Sequence, residues 1–308
     1  MPPLILRKGI RRAEMKNKRS WLAAPYVVWM ALFTVIPIVM MVVYAFTQEI
    51  VVDAETGEKA VRFTLNNFAQ MGAYTVVFLR SFKLALIATA VCLLIGYPIS
   101  YWMAKEGAQF QKAAMALIML PMWMNFLLRT YAWMSILENT GLLNRLFQAI
   151  GLIDLVNHLC GTELQYFPMI NTQGAVVLGM VYNYLPFMIL PIYSVIIKMD
   201  NSLLEAAQDL GANSALTFRK VILPLSLPGV LSGITMVFVP AVSTFAISRL
   251  LGGNNQTLLG NLIEMQFVGT AYNPHLGSAI AMVMMVIVVV CMYVMNRFGE
   301  GEEQAVML

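Results

Sequence analysis

Six long apolar runs, parted by charged stretches, dominate the pattern along this chain. The first covers residues 21–46, which are 26 positions without a charge. A helix needs about 20 mostly apolar residues to cross about 30 Å of hydrocarbon. The pattern therefore predicts six spanning helices near 21–46, 84–103, 113–137, 174–197, 225–247 and 276–295. Pro25 and Pro37 are positioned to kink the first, and Pro186 and Pro191 to break the fourth. Between the spans, 47–75 is polar and acidic (Glu49, Asp53, Glu55 and Glu58 against Lys59 and Arg62) and reads as a loop. Residues 138–173 are mixed, with a partly amphipathic stretch at 142–150 that fits an interfacial helix. The expected organisation is a basic segment 1–20, a first helix 21–46, a loop 47–75, a five-helix core 76–297 with a polar insertion at 198–224, and a tail 298–308.

Charge orients this pattern. Residues 1–20 hold seven Lys and Arg against the single acid Glu14. The apolar run behind them is too long for a signal peptide, whose h-region has about 7–15 residues. With the amino end in the cytoplasm, the inner segments carry thirteen basic residues and the outer segments six, and Arg129 falls inside the third span. That is the positive-inside bias, and an even number of spans puts both termini in the cytoplasm. Composition agrees: 59% of residues are hydrophobic, 12% are charged and mean hydropathy is +0.72. Soluble domains are about 45–50% apolar and about a quarter charged. A secreted domain, a disordered chain and a cytosolic enzyme are excluded. Cys92, Cys160 and Cys291 are too few and too scattered for a disulfide framework.

Several chemistries lack their residues. There is no G-x-x-x-x-G-K-[ST] for holding ATP, no H-E-x-x-H and no G-x-S-x-G. Only His158 and His275 are present, both in expected loops. No Asp or Glu falls within an expected span, so the carboxylates of a proton-driven carrier are missing. No catalytic residue, metal ligand or cofactor is expected in this chain, and no nucleic-acid partner.

The stretch 200–224 is the most informative. Ser202 and Glu205 have capping-box spacing, and Leu203, Ala206, Ala207 and Leu210 form one apolar stripe at i, i+3, i+4 and i+7. Gly211 is placed to end that helix in a left-handed cap, and Ser214 to cap a second helix ending at Pro224. Small side chains at Ala206 and Ala207 would let another surface approach closely. Periodicity alone leaves open whether that surface belongs to another protein or to the chain's own membrane helices.

The spacing Glu205-Ala206-Ala207, Gly211, Val221, Leu223-Pro224 resembles the EAA motif of ABC importer permeases, with Val221 where that family usually has Ile. Gly96-Tyr97-Pro98, the run from Arg129 to Trp133, the run from Leu185 to Tyr193, and Leu251-Gly252-Gly253 are similar to the spermidine/putrescine importer permeases, the first of the two permease subunits above all, over about residues 21–297. The resemblance implies an all-α integral membrane protein with six transmembrane helices and the type I ABC importer permease (MetI-like) fold. It also implies a prokaryotic plasma membrane, a second homologous permease, an external substrate-binding protein and a cytoplasmic ATPase dimer that binds ATP and Mg. Glu205, Ala206, Ala207, Gly211, Leu223 and Pro224 would then couple the loop to the ATPase. Glu205 can serve both the helix cap and the ATPase.

A polyamine path wants carboxylates, carbonyls and aromatic faces that attract ammonium groups. Trp123, Tyr131, Trp133, Tyr182, Tyr184, Glu138 and Glu264 are candidates, with Tyr193 beside them. The competing reading of the aromatics is an interfacial belt. Arg129 is unexpected on a polycation route. Glu138 is nine residues on, about 14 Å along a helix and too far to pair with it. Its expected role is structural or gating, with a carbonyl, a helix end or the second permease as partner. Pro186 and Pro191 would free carbonyls that bend the span or line a cavity. Two alternatives remain: an ABC permease for another small solute, such as iron or an oxyanion served by Arg129, and a stand-alone secondary carrier.

Overall fold

The computed structural model describes residues 24–51, 59–253, 256–269 and 271–306. The basic segment 1–20 and the acidic residues Asp53, Glu55 and Glu58 lie outside this set. The chain forms two compact units, one of residues up to Met71 with Asn273–Met282, the other of Gly72–Tyr272 with Val283 onward.

In the first unit, α1 (Ala24–Ala45) is apolar and unburied except at its last residue, Ala45, with one π turn at Ala31–Val35. The stretch expected to be a loop is instead an antiparallel hairpin, β1 (Thr47–Val51) against β2 (Lys59–Phe63), with Thr47 opposite Phe63 and Glu49 opposite Val61. The fold is therefore helical with one small sheet. A lone two-stranded hairpin is marginal in water, and aromatic contacts support this one: Phe46 stacks on Phe63 at 5.8 Å and meets Phe68 at a tilt at 5.1 Å. Asn67, on the short α2 (Asn66–Gln70), donates its buried amide to the carbonyls of Ala45 (3.0 Å) and Thr47 (2.9 Å). One side chain thus ties the end of α1 to the start of the hairpin.

The second unit is built on three helices: α3 (Thr75–Lys105), α8 (Gln173–Ile196) and α10 (Ser214–Ser243). Small residues make their packing possible, as expected where lipid gives no hydrophobic drive between helices. A Cβ on Gly96 of α3 would lie 3.0 Å from Met188 of α8. The Ser100 hydroxyl donates to the Ile189 carbonyl across the same seam (3.0 Å). Leu84, Cys92, Met180, Met188, Ile192 and Val237 fill the core. Both Pro186 and Pro191 lie inside α8, which runs through them unbroken. The expected break does not occur.

The third expected span is not one helix. It is α4 (Ala108–Met119) with a 3-10 turn to Trp123, then α5 (Phe126–Leu137), with an 89° bend between Ala108–Trp123 and the segment Phe126–Ala149 that α5 opens. Pro121 cannot donate in the 3-10 turn, Met124 is extended (ψ 148°), and the Asn125 side chain accepts from the amides of Leu127 (2.8 Å) and Leu128 (3.4 Å). An Asn that caps a new helix takes the backbone out of the old one. Among the described residues five helices are long and apolar enough to cross a membrane, and six if this bent pair is one span. α6 (Leu142–Ala149) and α7 (Leu152–Cys160) follow. The fifth span ends at Ser243 rather than near Ile247, which lies on α11 (Ala246–Leu251). Then come α12 (Leu259–Phe267) and α13 (Pro274–Val306).

Candidate functional site

The insertion between α8 and α10 forms α9 (Asn201–Asp209). Its N-cap is Asp200, whose carboxylate accepts from the Ser202 amide (2.9 Å), so Ser202 is not the cap and Glu205 is not in a capping box. An aspartate at the helix entrance wins because it also complements the helix dipole. The same hydrogen bond holds the exposed Asp200 carboxyl below its ordinary pKa. At the other end Gly211 has φ +82°; its amide donates to the Gln208 carbonyl (2.8 Å) and that of Ala212 to Ala207 (3.0 Å). These two bonds are a Schellman motif, in which a left-handed residue closes the helix.

No residue of α9 is buried, and Leu210 is 89% exposed. Leu203, Glu205 and Ala206 are exposed as well, and Ala207 is half-buried. Most of the apolar stripe is thus open, and among the described residues no hydrogen bond or ion pair holds the Glu205 carboxylate. The second helix starts from Asn213, not Ser214, with the Asn213 side chain accepting from Leu216 (2.8 Å). It does not end at Pro224. A π turn at Phe218–Ile222 shifts the ladder just before Leu223 and Pro224, so the missing proline N–H falls where the register already changes, and the helix continues as α10.

The aromatic candidates for a path do not form one cluster. Trp133 of α5 meets Tyr182 of α8 edge to face, with centroids 5.4 Å apart. Trp123 at the bend is 84% exposed, and Tyr131 is exposed too. Tyr184 and Tyr193 are buried, and Tyr184 donates to the Pro240 carbonyl (3.4 Å). Glu138 is the C-cap of α5 and lines a pocket of about 400 Å³ with Met134, Asn139, Thr140, Ile170, Asn171 and Leu250. Helix carbonyl ends attract cations, and here a carboxylate stands beside them. Glu264, expected in the last outer loop, lies on α12 and pairs with Arg249 of α11 at 3.0 Å.

Arg129 lies in the first turn of α5, the dipole end that disfavours a cation. It is 8% exposed, and neither Nε nor Nη1 has a hydrogen-bond partner. Asn183 on α8 escaped sequence reasoning. Its Nδ2 donates to the Gly179 carbonyl (2.9 Å), while its buried Oδ1 is unpartnered. The signal available for it was a lone amide in an apolar run. No cluster of three or more His, Cys, Asp or Glu that could hold a metal occurs among the described residues.

The chain is similar to known proteins. The family described as "Binding-protein-dependent transport system inner membrane component" matches residues 96–300. The spermidine/putrescine transport system permease protein PotB of Escherichia coli (strain K12) is 38% identical over 242 residues, covering 78% of this chain and 83% of that one. PotB of Haemophilus influenzae is 35% identical over 276 residues, covering 88% and 91%. Among solved structures, a bacterial ABC transporter involved in import of the acidic polysaccharide alginate superposes with TM-score 0.70 at 16% identity, over 94% of this chain and 98% of that one. The MetNI methionine ABC transporter superposes with TM-score 0.51 at 18% identity, over 77% and 98%. At such identities the likeness is one of fold, and the fold is that of an ABC importer permease.

Proposed function

We propose that this chain, which belongs to the family of binding-protein-dependent transport system inner membrane components, is one permease subunit of an ATP-driven importer whose cargo is a polyamine. The observation that carries the reading is α9. An exposed, well-capped helix with an uncovered apolar stripe and a free carboxylate stands on a multi-pass membrane chain. Such a stripe is costly to leave in water, and a docking partner relieves that cost. The partner is a cytoplasmic ATPase dimer that binds ATP and Mg and carries out hydrolysis. Glu205, Ala206, Ala207 and Gly211 meet it, and Leu223 and Pro224 anchor the loop to α10.

The cargo follows from the relatives, which are named for spermidine and putrescine. Its chemistry suits Glu138, the carbonyl end of α5 and the Trp133–Tyr182 pair, which together offer a cation an acceptor, a dipole end and aromatic faces. A second homologous permease completes the path, and an external binding protein delivers the substrate. Both termini face the cytoplasm. ATP-driven closure of the dimer moves α9 and tips the spans from inward- to outward-facing.

The test is uptake of labelled spermidine and putrescine into vesicles carrying this chain with its second permease, ATPase and binding protein. ATP-dependent uptake that Gly211→Asp abolishes is the expected result. ATP-dependent uptake of another solute keeps the importer and changes the cargo. Uptake that needs neither ATP nor partners overturns the importer.

A further inference from the structure

The Gly96-Tyr97-Pro98 segment of α3 has no part in the coupling loop or the path described above. Gly96 brings the backbone of α3 against Met188 of α8, and Tyr97 then projects toward the base of α10. Its hydroxyl lies 2.8 Å from Oγ of Ser226. That serine already donates its own proton to the Leu223 carbonyl (2.9 Å), so Tyr97 is the donor. One turn further on, Tyr101 shares a face of α3 with Tyr97. The Phe218 ring meets both edge to face, at 5.8 Å from Tyr97 and 5.3 Å from Tyr101. Lys105 sits over Tyr101, 4.2 Å from its centroid.

Phe218 is also where two kinds of backbone meet. Before it, every step from α9 is hydrogen-bonded: the Schellman closure at Gly211, the Asn213 cap and the first turn of α10. After it comes the π turn Phe218–Ile222, whose ladder shifts by one residue. Such a turn is a local departure from the i to i−4 ladder of the α-helix around it. A displacement of α9 therefore reaches Phe218 through a hydrogen-bonded path and meets a change of ladder register along the axis of α10. The aromatic contacts offer a second, directly packed continuation, sideways into α3.

We propose that Phe218, Tyr97 and Tyr101 are positioning residues that transmit displacement of α9 into span α3, with the Tyr97–Ser226 hydrogen bond fixing the register of the contact. In the transporter this makes α3 a second span, beside α10 itself, that responds to the ATPase, which rests on the function proposed above. The contact itself is a property of the chain alone.

Two measurements test it. In the assembled transporter, the number of polyamine molecules taken up per ATP hydrolysed is compared for the unaltered chain, Phe218→Ala and Tyr97→Phe. The ratio falls about fivefold or more in Phe218→Ala and about twofold in Tyr97→Phe, with ATP hydrolysis within twofold of the unaltered complex. An unchanged ratio in Phe218→Ala overturns the proposal. Should Phe218→Ala fail to assemble, Tyr97→Phe decides, since it removes one hydroxyl and keeps the ring. The second measurement needs neither cargo nor partner. Spin labels are placed at Gln208 and Glu106 in a chain whose three cysteines are replaced, and the distance distribution between α9 and the end of α3 is recorded. It is narrow in the unaltered chain and about twice as broad in Phe218→Ala. Equal widths overturn the proposal even if the transporter proves to carry another solute.

Discussion

Gly229 of α10 lies directly under the Pro191 carbonyl of α8: a Cβ there would come within 2.9 Å of that oxygen and within 3.1 Å of the Ile192 Cα. Backbone cannot retreat as a flexible side chain can. Gly229→Ala should therefore push two core helices apart, at about 1–3 kcal/mol for overpacking. Thermal unfolding in detergent reads it as a lowered midpoint. Gly72→Ala, where nothing lies within 4 Å and φ is not positive, should leave the midpoint unchanged.

The left-handed backbone at Gly211 carries a cost of another kind. Nothing lies within 4 Å of a Cβ built there, so any penalty comes from φ +82° alone. Gly211→Ala should cost about 1–2 kcal/mol and Gly211→Asn less, because asparagine tolerates this region. Amide exchange in the last turn of α9 should accelerate in that order, and ATP-dependent uptake should fall in the same order.

The start of α9 should respond to acid. Asp200 is held below its ordinary carboxyl range by the Ser202 amide, with the Ser202 hydroxyl adding to it. A carboxyl lowered in the folded state stabilises above its unfolded pKa and loses that contribution as pH falls through the folded value. Exchange at Ser202 and Leu203, corrected for intrinsic rates, should therefore rise only below the ordinary carboxyl range. Asp200→Asn keeps a cap and should remove the pH dependence.

Arg129 is a buried cation with two guanidinium nitrogens, Nε and Nη1, that lack a hydrogen-bond partner. Replacing such a charge with an apolar side chain of similar length is often neutral or stabilising, by about 1–4 kcal/mol. Arg129→Met should hold or raise the unfolding midpoint of the isolated chain, whereas Arg129→Ala should lower it by leaving a cavity. A marked loss with methionine would mean that the guanidinium has partners in this chain after all.

At Glu138 the expectation is functional. Glu138→Gln removes the charge from the pocket and keeps its shape, so the assembled complex should purify in normal yield. Uptake of spermidine should require about fivefold more substrate, the equivalent of about 1 kcal/mol for an exposed ionic contact. Unchanged uptake would remove Glu138 from the path.

What could be read from the sequence was whatever a local rule controls. The apolar runs mark the membrane helices because lipid tests each residue on its own. Gly211 was legible because a left-handed helix end selects glycine. The bend at Asn125 was written in the same code, a capping residue inside an apolar run, but the run hid it. Asp200 and Ser202 both suit an N-cap, and only the built helix separates them. The hairpin was masked by its acidic surroundings, although Val61-Arg62-Phe63 alternates as a strand does. The Arg249–Glu264 pair and the contact of Phe218 with Tyr97 join residues that no spacing relates. They exist only once the helices pack.

The π turn at Phe218–Ile222 closes with the Leu223 amide on the Phe218 carbonyl, which makes it an α-helix holding one residue more than its ladder needs. That extra residue sets the phase of everything before it. With one residue fewer, the segment from α9 onward would be turned by about 100° about the axis of α10. Glu205 and Leu210 would keep every local contact and face another direction. The azimuth at which this loop looks out from its span is thus written as a count of residues, and a single-codon deletion between Arg219 and Val221 would re-aim it without altering one side chain of α9.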